Sequence, residues 1–303
     1  MPKEKIRIGS RKSRLAVIQT EIVAGLLRRA HPELKTEIVA MDTTGDVVLD
    51  RPLDAVGGKG LFTLELERAL RRGEIDLSVH SLKDMPEVIP EDLPLLAYSK
   101  REDPRDALVL PAGAVYEGLA RLSGERPVGC SSARRTIQLL ALCPELSVAP
   151  IRGNVPTRLK KLDDGGYSAL ILAAAGLKRL GLTDRISKIF SEEEILPAAG
   201  QGILAVQGPK DFDADLLACV DDPDSRTAAL AERAVIAGLG CGCSSPAAAF
   251  CRVWGNEVRI RAFYVNPDTG LRASGNISGG RKAILTLAQT LSARLLKEAG
   301  QHE

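Results

Sequence analysis

Aromatic side chains are scarce in this chain, making up 3% of its 303 residues. Proteins that bind single-stranded nucleic acid stack its bases on aromatic rings, so a stacking platform of that kind is excluded. An excess of charge of one sign is also lacking, because 41 basic residues are balanced by 39 acidic ones. No overall field attracts nucleic acid, and any cationic site must be local. We therefore expect no nucleic-acid partner.

Long apolar runs are absent as well. The longest lies near Ala169 to Leu177 and is too short to span a bilayer. The first residues, MPKEKIRIGSRKSRLAV, interleave charges with apolar side chains and lack the apolar region of a secretory signal. These features predict a cytoplasmic protein that makes no membrane contact.

Histidines are few, and phosphate-binding motifs are absent. Three histidines, one of them His302, leave little material for a histidine-based metal site, and we predict no metal. Neither a Walker loop nor a GxGxxG motif occurs, and GGKG at residues 57–60 lacks the spacing of either. The six cysteines of a cytoplasmic chain are predicted to be reduced.

The chain does contain a regular alternation of strand and helix patterns. The strand patterns of a first series are IRIGS, TEIVAM and IDLSVHS, and those of a second are ALVL, RPVGCS, LSVAPI and YSALILAAAG. Apolar residues at helical spacing lie between them, as over residues 15–26, 134–142 and 155–162. This alternation predicts two α/β domains, each with a mostly parallel sheet covered by helices.

The last part of the chain has a different pattern. A helical pattern over residues 227–239 is followed by three alternating segments, AAAFCRVW, EVRIRAFYV and LRASGNIS, and by a long helix over residues 282–299. We interpret this as a small α+β domain. The polar stretch REDPR at residues 101–105 suits a crossover between the two α/β series, and the strand pattern after Pro197 could join either sheet.

Basic residues collect where the predicted strands end. They follow the first, third, fifth and sixth strand patterns and comprise Arg11, Lys83, Arg134, Arg135, Arg152 and Arg158, with Ser13 beside the first. Any one of them could be a solvated surface residue. Together they indicate an anionic ligand, because a cation at a helix N-terminus otherwise opposes the helix dipole. Without a phosphate-binding motif, a ligand with several carboxylates is favoured.

The segment HSLKDMP places Asp84 directly after a strand pattern and beside Lys83. A carboxylate among cations stays ionised at neutral pH and could stabilise a cationic intermediate or pass protons. The alternative is an aspartate that caps a turn before Pro86. His80 is interpreted as a structural histidine.

A cysteine loop, GCGCSSP, follows a helical pattern that ends at Gly240. Three interpretations compete: a covalent attachment site or nucleophile, a metal or cluster site using Cys241, Cys243 and Cys251, and packing of small side chains. The metal interpretation lacks a second cysteine pair and a nearby histidine. Cys251 alternates with outward residues in a strand pattern and is predicted to be a core residue. The local sequence does not choose between Cys241 and Cys243.

Eight segments occur in one order along the chain: IGSRKSRLA, GGKGLF, VHSLKDMP, SSARR, IRGNVPTRL, LAAAGLKRLGL, PAAGQG and LGCGCSSP. In these motifs the chain resembles the hydroxymethylbilane synthase family, also called porphobilinogen deaminases, from about Ile6 into the last helix. The resemblance implies two α/β domains similar to a bilobed periplasmic binding protein, with the active cleft between them, and a small α+β domain. The predicted domains are residues 1–100 with 200–220, residues 101–199, and residues 221–303.

The resemblance also implies roles for individual residues. Cys243 matches the cysteine that carries a dipyrromethane cofactor through a thioether, and Asp84 matches the catalytic aspartate. Residues that match the family's cofactor-binding positions are Ser13, Lys83, Ser132, Arg134 and Arg135. Residues that match the substrate and growing-chain positions are Arg11, Phe62, Arg152, Arg158, Arg179 and Gln201.

The activity implied is the polymerisation of porphobilinogen into the linear tetrapyrrole hydroxymethylbilane, with release of ammonia. Asp84 would stabilise cationic pyrroles and accept the proton released at each new junction. A monomer whose partner is porphobilinogen is expected. The alternatives are a bilobed anion-binding or ligand-sensing protein without catalysis, which would not need the cysteine loop, and a cluster-binding protein, which would carry iron.

Overall fold

The computed structural model describes residues 4–43, 63–122, 124, 126–241 and 246–300. Two of the predicted site residues, Phe62 and Cys243, lie outside the described residues. The chain forms two compact units, of which the first comprises Met1–Glu102 with Ile203–Ala229 and the second Asp103–Gly202 with Leu230–Glu303.

The helices and strands are numbered in chain order. The strands are β1 (Lys5–Arg11), β2 (Lys35–Met41), β3 (Leu77–Ser81), β4 (Leu95–Tyr98), β5 (Asp106–Val109), β6 (Val128–Gly129), β7 (Val148–Ala149), β8 (Ala169–Ala173), β9 (Lys188–Ile189), β10 (Leu204–Gln207), β11 (Ala247–Trp254), β12 (Glu257–Val265) and β13 (Arg272–Gly280). The helices are α1 (Arg14–Ala30), α2 (Leu64–Arg71), α3 (Ala133–Leu142), α4 (Val155–Asp163), α5 (Ala174–Arg179), α6 (Pro223–Gly238) and α7 (Ile284–Glu298).

The sheet of the first unit has the strand order β2-β1-β3-β10-β4. Helix α1 packs its apolar side on this sheet, because Val23 and Leu27 share one buried cluster with Ile8 of β1. Fully buried aliphatic side chains on both elements exclude water from the contact, and this hydrophobic burial holds the helix on the sheet. The packing fixes the short turn that joins Arg11, the last residue of β1, to Ser13, the N-cap of α1.

The sheet of the second unit has the strand order β7-β6-β8-β5-β9. Its faces are covered by two buried clusters, one with Val128 and Leu139 and the other with Leu159 and Leu170. Leu139 belongs to α3 and Leu159 to α4, so both helices pack on this sheet. Their N-termini follow the carboxyl ends of β6 and β7.

The prediction of mostly parallel sheets is confirmed for the described strands, because four of the five strands in each sheet run in one direction and one strand, β10 in the first sheet and β5 in the second, runs against them. In the first sheet β1 is parallel to β2 and β3, but β10 is antiparallel to β3 and β4. In the second sheet β6 is parallel to β7 and β8, but β5 is antiparallel to β8 and β9. Parallel pairing needs a crossover, usually a helix, and the strands β5 and β10 enter their sheets without one. The α/β class is confirmed as well.

The C-terminal part forms a three-stranded antiparallel sheet in the order β11-β12-β13. Side chains of β12 alternate between buried and exposed, with Val258 and Ile260 fully buried. Helix α7 packs on β12 and β13 through Leu291 and Leu295, which are also fully buried. The predicted three alternating segments and long final helix are confirmed. Within the part of the chain that the structure describes, no helix has the length and apolar character needed to cross a bilayer.

Candidate functional site

The turn that presents Asp84 is fixed by the residues on either side of it. Strand β3 continues into a single 3-10 turn that contains Lys83 and Asp84. Leu82 and Met85 are buried, and the backbone N–H of Leu82 donates to the carbonyl oxygen of Ile203 at 3.0 Å. Because these apolar neighbours face the core, Lys83 is left half-buried and Asp84 exposed. The sequence LKDM therefore forms a rigid turn that displays a carboxylate.

Asp84 lines a cavity in the first unit at the carboxyl end of β3. Arg11, at the end of β1, lines the same cavity with His80 and Ser81. The other lining residues are Ala16, Gln19, Thr63 and Val79. A carboxylate and a guanidinium group from two strand ends thus face one space. A polar ligand in this cavity would meet both charges.

Helix α1 lines this cavity through Ala16 and Gln19. Ser13 is its N-cap, and Oγ of Ser13 accepts a hydrogen bond from the backbone N–H of Ala16 at 3.3 Å. One turn later, Nε2 of Gln19 donates to Oγ of Ser81 at 2.9 Å. Gln19 is buried and was not among the predicted residues. The hydrogen bond between Gln19 and Ser81 links α1 to β3 at the wall of the cavity that Asp84 lines.

His80 is a buried member of the same wall. Its Nε2 lies 2.8 Å from Oγ of Ser78, two residues earlier on the same face of β3. Burial lowers the pKa of His80 to about 4, and the positive charge of Arg11 also acts to lower it. The imidazole is therefore neutral at physiological pH. Its interpretation as a structural histidine is consistent with the contact to Ser78.

A buried charge cluster in the second unit surrounds Asp106 at the start of β5. Nη1 of Arg134 donates to Oδ2 of Asp106 at 2.7 Å, and Nε and Nη2 of Arg135 donate to Oδ1 at 2.9 and 2.7 Å. All three side chains are buried, and Asp106 is 0% exposed. Burial alone would raise the pKa of Asp106, but the two guanidinium groups hold it well below its ordinary value. The carboxyl is therefore ionised at neutral pH.

Two more predicted site residues contact this cluster. Nε2 of Gln201 donates to Oδ1 of Asp106 at 3.0 Å and to the carbonyl oxygen of Pro104 at 2.5 Å. Ser132 is the N-cap of α3, where its Oγ accepts from the backbone N–H of Arg135 at 3.5 Å. The structure thus brings together four predicted residues, Ser132, Arg134, Arg135 and Gln201, around Asp106.

The remaining predicted arginines of the second unit occupy separate places. Arg152 and Arg158 flank the start of α4 and are half-buried, and Nε of Arg158 donates to the carbonyl oxygen of Gly153 at 2.7 Å. Arg179 ends α5, and its Nη2 donates to the carbonyl oxygen of Gly202 at 2.7 Å. Through Gly202, Arg179 is joined to the chain segment that carries Gln201.

The cysteines that the structure describes are free thiols. Cys241 is 4% exposed, and its Sγ–H donates to the carbonyl oxygen of Leu239 at 3.6 Å. Cys251 is 2% exposed on β11, which confirms its prediction as a core residue of a strand. Among the described residues, no group of three or more His, Cys, Asp or Glu side chains is placed to hold a metal ion.

Sequence reasoning missed Asp106 and Glu232. Glu232 of α6 is 0% exposed and accepts from the backbone N–H groups of Gly200 and Cys251, both at 2.7 Å. It joins the segment before Gln201 to the strand that follows the cysteine loop. Each acid does leave a signal, because Asp106 opens the apolar run DALVL and Glu232 interrupts the apolar helix pattern AALAERAVIAG. An acid at a core position requires a buried partner.

Comparisons with known proteins match the chain to porphobilinogen deaminases. A family model described as porphobilinogen deaminase, dipyromethane cofactor binding domain, matches residues 6–216, and the C-terminal domain model of the same family matches residues 226–297. The porphobilinogen deaminase of Acetivibrio thermocellus is 50% identical over 295 residues, covering 97% of this chain and 99% of that protein. That of Roseiflexus sp. (strain RS-1) is 44% identical over 301 residues, covering 99% and 98%.

Among solved structures, the periplasmic aliphatic sulphonate binding protein SsuA from Escherichia coli is similar with a TM-score of 0.39 and 15% identity, covering 70% of this chain and 64% of that one. The family models cover most of the chain, and the relatives match it over nearly its whole length. The chain therefore belongs to the porphobilinogen deaminase family.

Proposed function

We propose that this protein is an enzyme that polymerises porphobilinogen into the linear tetrapyrrole hydroxymethylbilane and releases ammonia. The observation that carries the proposal is the match of residues 6–216 to the family's cofactor-binding domain, within which Asp84 and Arg11 line one cavity. A binding protein without catalysis is not favoured, because the chain matches relatives named porphobilinogen deaminase over nearly their whole length.

The residues present fit a dipyrromethane cofactor, a polyanion that would be held by its carboxylates. The cluster around Asp106 holds two guanidinium groups against one carboxylate, so that one positive charge is unbalanced within it. Carboxylates bind guanidinium groups through paired hydrogen bonds. We assign the cofactor contacts to Ser13, Lys83, Ser132, Arg134 and Arg135, and the thioether to Cys243. When bound, the cofactor supplies the pyrrole to which the first substrate is joined.

Asp84 carries the chemistry in this proposal. The C–N bond of the substrate's aminomethyl group breaks, ammonia leaves, and the methylene carbon becomes cationic. The carboxylate of Asp84 stabilises that positive charge and accepts the proton that the new carbon–carbon junction releases. After the last addition, the methylene carbon of the first substrate unit would lose its bond to the priming pyrrole and gain the hydroxyl group of water, and the second proton of that water would go to the pyrrole carbon that is set free. Asp84 is suited to this because its turn is anchored by buried Leu82 and Met85.

Binding of substrate and of the growing chain falls to a second set of residues. Porphobilinogen carries an acetate and a propionate, which suit guanidinium partners. We assign this role to Arg11, Phe62, Arg152, Arg158, Arg179 and Gln201. Arg11 is supported by its place in the cavity that Asp84 lines, and Gln201 by its contact with the Asp106 cluster.

The organisation of the chain in this proposal is a cytoplasmic monomer of three domains, residues 1–100 with 200–220, 101–199 and 221–303. It is supported by the three sheets, by the place of β10 in the first sheet, and by the two family models that meet between residues 216 and 226. No metal takes part.

Intact mass spectrometry of the purified protein tests the proposal. We expect a mass above that of the sequence by one dipyrromethane, which Cys243→Ser removes and Cys241→Ser retains. Cys241 is the matched control, because its thiol is buried and bonded to Leu239. Loss of the excess mass in Cys241→Ser alone would move the attachment to Cys241. A wild-type protein that has no excess mass and leaves porphobilinogen unconsumed would overturn the proposed function.

A further inference from the structure

Asp106 is a fully buried carboxylate that the proposed mechanism does not use. It begins β5 and is 0% exposed, and the strand's next residues are apolar and buried. Removing an isolated carboxylate from water costs several kcal/mol, so such a group persists only with partners of opposite charge and complete hydrogen bonding. The structure supplies those partners from α3 and from the segment that contains Gln201.

The contacts of Asp106 are directional. Oδ2 accepts from Nη1 of Arg134 at 2.7 Å, and Oδ1 accepts from Nε and Nη2 of Arg135 and from Nε2 of Gln201 at 2.9, 2.7 and 3.0 Å. Each guanidinium also donates to a backbone carbonyl, Arg134 to Leu196 at 2.7 Å and Arg135 to Ile171 at 3.2 Å. A planar guanidinium held at two acceptors cannot rotate freely. The carboxylate thus sets the plane of both arginines.

Charge balance adds a second consequence. One carboxylate offsets one of the two guanidinium charges, which leaves the cluster attractive to an anion. Without Asp106, two like charges would be buried side by side, and the pair would separate or become exposed. With a second carboxylate, the cluster would hold no excess positive charge. A single carboxylate therefore serves both the folding of the pair and its attraction for an anion.

We propose that Asp106 is a positioning residue of the cofactor site, which holds Arg134 and Arg135 in the orientation that captures the carboxylates of dipyrromethane. The inference rests on the proposed function, since it takes these two arginines as cofactor ligands. Asp106 itself contacts neither cofactor nor substrate in this role.

Asp106→Asn tests the inference, because it keeps the side-chain volume but replaces one acceptor oxygen by an amide donor that faces a guanidinium. We expect the fraction of purified protein that carries dipyrromethane, read by intact mass, to fall at least about tenfold, the size of effect that loss of a charged hydrogen bond produces. In the fraction that is loaded, KM for porphobilinogen should rise more than kcat falls.

Asp103→Asn is the matched control. The Asp103 side chain is 7% exposed and is paired with Arg105 at 2.8 Å and Lys178 at 3.1 Å, none of which belongs to the proposed site. Both variants should lower Tm, but only Asp106→Asn should lower cofactor loading. Equal loading in the two variants, or an equal loss in both, would overturn the positioning role.

A pair of variants covers the case in which Asp106→Asn does not fold. Oε1 of Gln201 lies 3.5 Å from Nη2 of Arg135, so Gln201→Glu places a second carboxylate at the cluster. The double variant Asp106→Asn, Gln201→Glu returns the cluster to one carboxylate, with Gln201 changed in both proteins. We expect Gln201→Glu alone, which keeps the contacts of Asp106 with both arginines, to carry more dipyrromethane than the double variant, which lacks them. The opposite order would contradict the inference.

The dipyrromethane content of the wild-type protein distinguishes a failure of this inference from a failure of the proposed function on which it rests. If the wild-type protein carries no dipyrromethane, the proposed function fails. If the wild-type protein is loaded and Asp106→Asn is loaded to the level of Asp103→Asn, only the role of Asp106 fails.

Discussion

Asp84 differs from its neighbours in the turn because its side chain is exposed while Leu82 and Met85 hold the backbone in the core. Replacing it by asparagine keeps the shape but removes the negative charge that stabilises a cationic pyrrole and the base that accepts its proton. We expect Asp84→Asn to retain the cofactor mass and fold while kcat falls by about 100-fold or more. Single-turnover assays and intact mass measure the two properties.

The control for this variant is Glu87→Gln, which removes a carboxylate three residues further along the chain and outside the cavity lining. It should turn over porphobilinogen at close to the wild-type rate. Near-normal kcat in Asp84→Asn would assign the proton transfer to another group.

Individual site residues were predictable to different degrees. The position of Asp84 after a strand, beside a cation, was readable from HSLKDMP, and the structure places it with Arg11 on one cavity. The burial of Arg134 and Arg135 was not predictable, because it depends on Asp106, which lies 28 and 29 residues away in the sequence. Charge placement identified the cations but could not reveal an ion pair formed across the sheet.

At the scale of elements, close packing around Gly9 explains the glycine in the sequence IGS that precedes Arg11 in β1. A Cβ built on Gly9 would collide with Cδ1 of Ile75 and lie 2.9 Å from Cδ2 of Leu66, which belongs to α2. Overpacking of this kind displaces the buried side chains of Ile75 and Leu66 and costs about 1–3 kcal/mol. We expect Gly9→Ala to lower the free energy of unfolding by that amount in urea titrations, and to raise KM because Arg11 lies two residues further along the strand.

Gly25→Ala supplies the matched control in the adjacent helix. A Cβ at Gly25 would have its nearest neighbour at 3.6 Å, and the residue lies inside α1. Replacing glycine by alanine in a helix interior raises the free energy of unfolding by about 0.5–1 kcal/mol. A stabilised Gly25→Ala with unchanged KM is expected, and a Gly9→Ala protein as stable as wild type would contradict the packing argument.

Element boundaries followed from periodicity wherever one pattern dominated. Strand β1 and helix α1 lie where the sequence predicts them, as do β11, β12 and β13. The run YSALILAAAG was predicted as one strand, but it divides into β8 and the start of α5 at Ala174. A short apolar run fits a buried strand and a buried helix equally well, so periodicity cannot locate such a boundary. Likewise, strand direction depends on how a strand enters the sheet, which alternation alone does not encode.

At the scale of the whole molecule, the buried polar groups make stability depend on pH. His80 is buried, and its folded pKa of about 4 lies below the ordinary value of 6.5. The unfolded chain therefore binds a proton as the pH falls through 6.5, whereas the folded chain does not until about pH 4. The stability that neutral His80 contributes is complete above pH 6.5 and is lost between pH 6.5 and pH 4.

The magnitude follows from the same two pKa values. Lowering the pH from 7.5 to 5 should reduce the free energy of unfolding of the wild-type protein by about 2 kcal/mol through the shifted pKa of His80 alone. Other groups titrate in this interval too, so we compare the wild type with His80→Asn, which cannot take up that proton. Urea titrations followed by circular dichroism should show a smaller pH dependence in the variant by about this amount, whatever its absolute stability. Equal pH dependence in the two proteins would mean that His80 takes up its proton in the folded chain at its ordinary pKa of 6.5, beside Arg11 on the wall of the Asp84 cavity, and would contradict the neutral, buried imidazole.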